Sequence, residues 1–86
     1  MPTISTFFGI TIQMFYNDHN PPHFHAVYGE FEILVGISPI RIIEGSIPNR
    51  VKSLVFEWAA LHQAELLADW NLCAQKQKPA DIAPLE

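Results

Sequence analysis

Asp18-His19-Asn20-Pro21-Pro22-His23-Phe24-His25-Ala26-Val27-Tyr28-Gly29-Glu30 places an imidazole-rich loop, an alternating stretch and a tight turn side by side. From His23 the alternation sets His23, His25 and Val27 on one side of a strand and Phe24, Ala26 and Tyr28 on the other, and Gly29-Glu30 then turns the chain. Upstream, Ile10, Ile12 and Met14 alternate with Thr11 and Gln13, which predicts a strand beginning near Gly9 after an extended lead-in over Met1 to Phe7. Downstream, Phe31, Ile33, Val35 and Ile37 share a face, Ser38-Pro39 interrupts, and Ile40 to Glu44 forms a further strand closed by Gly45. Links this short exclude parallel crossovers, which need a dozen or more residues, so the expected sheet is an antiparallel meander of three to four strands over about 8–45.

The remainder predicts one long helix from Pro48 to about Gln75, capped at Ser46 or Ile47 and ended by Lys76, Lys78 and Pro79. At 1.5 Å per residue it is about 40 Å long, more than a small sheet is wide. Its last turns are therefore expected to overhang and meet another subunit, giving a homo-oligomer. The tail 79–86 is apolar enough to dock. The whole is an α+β fold in one domain, 1–86.

Composition narrows the function classes. Apolar residues make up 49% of the chain and charged residues only 16%, below the roughly 25% usual for soluble proteins, which leaves apolar surface for a partner. A net charge of −4 with five Lys and Arg argues against a nucleic-acid footprint. No apolar run approaches the length that crosses a bilayer. The single Cys73 and the lack of a charged-then-apolar leader predict a cytoplasmic protein. Cys73 falls late in the helix's apolar stripe, the place of a structural thiol and not of a nucleophile.

Two groups of residues stand out chemically. In the loop, His19, His23 and His25 lie with Asp18 within eight residues, stiffened by Pro21-Pro22. Imidazole is the commonest metal ligand, and His23 and His25 share one side of a strand about 7 Å apart along the chain, so both could reach one ion with His19 or Asp18 as third ligand. Imidazoles plus one carboxylate, without paired thiols, fit Zn or Ni. On the helix, His62, Glu65 and Asp69 interrupt the stripe of Val51, Val55, Trp58, Leu66 and Cys73, so their carboxylates need a donor, a cation or a wet cleft. The plain reading of both groups is structural: a hydrogen-bonded turn capped by Asp18, and an internal network joining His62, Glu65 and Asp69, with Arg41 a further partner. The alternation also sets His23 and His25 opposite the helix-facing Phe24 and Ala26. Either the Pro-Pro step throws the imidazoles over the rim to the helix, or the molecule has two separate polar features.

The opening Met1-Pro2-Thr3-Ile4-Ser5, Phe8-Gly9-Ile10, the Asp18–His25 block, Glu57-Trp58 with His62, Glu65-Leu66 and Trp70, and the ending Ile82-Ala83-Pro84-Leu85 resemble the short bacterial family called domain of unknown function 4160. The resemblance spans nearly the whole chain and implies a compact α+β domain encoded beside a second small protein in toxin–antitoxin-like two-gene modules. It implies no activity. Two functions are therefore expected as competitors. One is a protein-binding component whose partner is the product of a neighbouring gene. The other is a hydrolase or nuclease with His23 as acid/base, His19 or His25 as its partner, and Arg41 or Arg50 on a phosphate.

Overall fold

The computed structural model describes residues 2–86. Strands β1 (Thr3–Phe7), β2 (Ile10–Gln13), β3 (His23–Tyr28), β4 (Phe31–Ile37) and β5 (Ile40–Ser46) are followed by helices α1 (Asn49–Leu61) and α2 (Gln63–Ala74). The strands form one antiparallel sheet in the order β1-β2-β3-β4-β5. The meander is as expected, but the sheet has five strands and the helical part has two segments.

The additional strand is β1, in the stretch expected to be only a lead-in. Its pairing with β2 shifts register between Thr3 and Ser5, so Ile4 and Ser5 are buried in succession and period two is lost. The helix breaks at His62, which has φ −121° and ψ 24° and whose N–H reaches both Ala59 and Trp58 carbonyls. Immediately after it, Gln63 turns its side-chain amide onto the Ile37 carbonyl at 2.7 Å, anchoring the break to the end of β4. The cap residue is Pro48, not Ser46 or Ile47.

Ile10, Ile12, Met14, Phe24, Ala26, Ile33, Val35 and Ile37 are all fully buried on the face that meets Val51, Val55, Trp58, Leu66 and Cys73 of the helices. Each large member contributes about 1.5–3 kcal/mol by leaving water. The pairs Gln13↔His25 and His25↔Leu34 put His25 on the opposite face.

The tail lies against β1 and α1. Ile82 N–H donates to the Ile4 carbonyl at 2.8 Å, Trp58 Nε1–H to the Ala83 carbonyl at 2.8 Å, and Ile82 and Leu85 are buried. It thereby covers part of the β1 edge.

The two ends of the sheet differ. At one, the β1–β2 and β3–β4 turns carry Phe8, which is 60% exposed, Phe31 and the half-buried Tyr28. Tyr28 pairs with Phe31, and its ring lies 3.5 Å from where a Cβ on Gly9 would stand. The other end carries the β2–β3 loop with its histidines.

Candidate functional site

Beyond β2 the chain leaves the sheet and rounds its rim, touching both α2 and the sheet face opposite the helices. Asn17 takes a positive φ of 54° and donates its N–H to the Cys73 carbonyl at 3.1 Å, which ties the loop to the end of α2. Phe15 then lies flat on the imidazole of His25, ring centroids 4.1 Å apart and planes 7° from parallel. Trp70 of α2 stands against His23 at 5.2 Å. Packed between these rings, His23 is 6% exposed and His25 8%.

Asp18 sits where both imidazoles point. Its Oδ2 is 3.0 Å from His23 Nε2 and 3.5 Å from His25 Nε2, and its Oδ1 accepts the His19 N–H at 2.8 Å. The opposite nitrogen of each ring also faces oxygen. His23 Nδ1 is 2.8 Å from the Pro21 carbonyl, and His25 Nδ1 is 3.0 Å from Glu32 Oε2. A carbonyl and a carboxylate only accept, so a proton on each Nδ1 satisfies the outer contact, and each Nε2 faces the Asp18 carboxylate, which also only accepts. At 3.5 Å the His25–Asp18 approach is too long for a hydrogen bond, and His25 Nε2 is buried without a partner. Burial works to raise the Asp18 carboxyl, but the His19 N–H, His23 and His25 together outweigh it and hold the group below the usual carboxylate value.

The sequence-derived site residues separate into distinct places. Asp18, His23 and His25 converge. The His19 side chain does not join them; only its backbone N–H does, and the residue is exposed. On the helices, His62 Nδ1 pairs with Glu65 Oε1 at 2.6 Å, apart from the loop histidines. The loop cluster and the His62–Glu65 pair are separate polar features, and Trp70, not His62, meets the loop. Asp69 is a third: Oδ1 accepts the Ala80 N–H at 2.9 Å and fastens the tail, while Oδ2 is buried without a partner. Burial chiefly raises its carboxyl, the Ala80 N–H opposes this, and Glu65 and Asp81 raise it further. Burial, then Asp69, also raises the Cys73 thiol, which accords with an inert core thiol. Arg41, opposite Gly36 on β5, is exposed and forms no ion pair among the described residues.

Glu32, Phe15 and the Pro21 carbonyl were not anticipated as parts of the site. Glu32 was within reach of the sequence: the two-residue turn at Gly29-Glu30 fixes His25 opposite Leu34 and Val27 opposite Glu32, so Glu32 is the diagonal neighbour of His25 on the same face. Phe15 and Pro21 depend on the loop's path and left no periodic trace.

No helix among the described residues is long and apolar enough to cross a membrane. Neither a curated protein nor a solved structure matches the chain. The sequence pattern of the family described as Domain of unknown function (DUF4160) matches residues 9–71, more than half of the chain and including the whole Asp18–Glu32 site. The chain belongs to this family.

Proposed function

We propose that the protein is the binding component of a two-gene, toxin–antitoxin-like module and that it engages the neighbouring gene's product through the aromatic end of the sheet. The observation that carries this reading is the grouping of Phe8, Tyr28 and Phe31 around two adjacent turns on a chain with only 16% charged residues. Aromatic side chains in rigid turns contribute large contact area at small entropic cost. Co-expression with the neighbouring gene product followed by size-exclusion tests it. A joint peak at micromolar concentration is expected, weakened at least tenfold by Phe8→Ala with Phe31→Ala. Separate elution of two folded proteins ends the reading.

The hydrolase reading draws on Asp18 beside His23, a carboxylate–imidazole pair. As a metal-free acid/base, however, His23 is poorly placed: both ring nitrogens face oxygens and the ring is nearly buried. An RNA-cleavage assay unchanged by His23→Ala removes it.

A further inference from the structure

Each of the two imidazoles is held between two oxygen acceptors. His23 lies between the Pro21 carbonyl and Asp18, and His25 between Glu32 and Asp18. A neutral imidazole brings one N–H, so two neutral rings fill the two outer contacts and leave both Nε2 lone pairs facing the same carboxylate oxygen. Lone pairs opposed at 3.0 Å repel. A proton on His23 Nε2 relieves the 3.0 Å contact but leaves His25 Nε2 unfilled, whereas one divalent cation between the two Nε2 atoms and Asp18 serves all three. Two positive charges would also balance the carboxylates of Asp18 and Glu32.

We propose that Asp18, His23 and His25 are the ligands of a single divalent metal ion, with zinc the best-matched ion. Their ligand atoms all lie within 4.8 Å of one another. Two donors about 2.0–2.1 Å from a tetrahedral zinc stand roughly 3.3 Å apart, and the distances here, 3.0 and 3.5 Å, straddle that value. The outer contacts are those a ligating imidazole needs. A carbonyl behind His23 and a carboxylate behind His25 fix the tautomers and turn Nε2 inward. Phe15 and Trp70 lock the ring planes. His25 Nε2, buried without a hydrogen-bond partner, is the unfilled valence that the ion satisfies. Glu32 is a positioning residue and not a ligand.

Three protein ligands leave one position on the ion, and the Asp18 side chain, 22% exposed, keeps the site in touch with solvent. That position takes water or an oxygen of a small anion. The inference does not rest on partner binding, since the aromatic end lies at the other end of the strands.

The test uses full-length protein without a histidine tag, treated with chelator and titrated calorimetrically with zinc and with nickel. One zinc per chain is expected. His23→Ala and His25→Ala should each weaken binding at least ~100-fold, Asp18→Asn roughly ten- to a hundredfold, and Glu32→Gln about tenfold through the orientation of His25. His19→Ala with His62→Ala should bind as the parent does, which separates a built site from adventitious surface imidazoles. Circular dichroism in chelator reports whether each variant is folded. Where His23→Ala or His25→Ala fails to fold, Glu32→Gln and the visible d–d bands of the cobalt-substituted parent carry the test, intense four-coordinate bands being expected. No heat with folded parent protein, absent cobalt bands, or a loss on His19→Ala equal to that on His23→Ala overturns the proposal and assigns the loop to a structural hydrogen-bonded turn.

Discussion

Glu32 reaches His25 from the next strand, and Gly45 decides whether the Glu32 backbone can stay where it is. Gly45 has φ +91°, and a Cβ there would fall 2.3 Å from the Glu32 carbonyl oxygen. Both the left-handed conformation and the clash exclude a side chain. Gly45→Ala is expected to cost about 2 kcal/mol or more in urea unfolding, and a change within ±0.5 kcal/mol would show that the β5 end yields freely. Asp69 gives a pH signature. Its carboxyl is raised above the ordinary 3.8 chiefly by burial, so between that value and its own raised one the folded chain binds a proton that the unfolded chain has lost. Its share of stability is therefore present in acid and lost as pH rises towards neutral. Asp69→Asn still accepts the Ala80 N–H and carries no charge, so the variant should gain on the parent as pH rises from about 4. A fixed offset of about 1 kcal/mol for the amide's unpaired N–H would shift that curve without tilting it. Parallel stability curves for the two proteins would contradict the assignment.

At the scale of elements, the tail hangs on few polar anchors, and one of them is the indole of Trp58 on the Ala83 carbonyl. Trp58→Phe removes that donor and some volume, at an expected cost of about 1–3 kcal/mol. The damage should be local. The Ile82 amide, bonded to Ile4, should exchange faster relative to the β3 amides, and equal loss of protection in both would show that the tail is no separate unit. The elements also divide by how legible they were in the sequence. β2, β3 and β4 place apolar residues at every second position toward the helices, so each writes period two in its sequence even though His23 and His25 bury the other face of β3, and the histidine-bearing strand with its Gly29-Glu30 turn could be read residue by residue. β1 could not, because its register shift buries Ile4 and Ser5 together. The helix break lacks the usual glycine or proline; beside it lies the tertiary contact of Gln63 with Ile37, which no local pattern carries. Spacing put His23 and His25 on one side of the strand with His19 or Asp18 as a third member, and it is the turn of the loop that brings in Asp18 and leaves the His19 side chain out.

Across the whole molecule, the strand direction separates two surfaces. His23 opens β3 at the loop end and Tyr28 closes it at the aromatic end, about 17 Å away at 3.3 Å per residue. Between them the strand pairs with β4 along its length and with β2 over His25–Val27, and Phe24 and Ala26 are fully buried, so the connection is a rigid rod with no second arrangement to switch into. Substitutions beyond about 7–10 Å with no shared partner add to within roughly 0.3–0.5 kcal/mol. Phe8→Ala with Phe31→Ala is therefore expected to weaken the partner complex and leave the zinc titration unchanged, while His25→Ala weakens zinc uptake at least ~100-fold and leaves the partner affinity within about twofold. The combined variant should show the sum of the two losses. A partner affinity that falls when zinc is withdrawn from the parent protein, but not when it is withdrawn from His25→Ala, would mean that the ends communicate and that the meander is not the rigid spacer its packing implies.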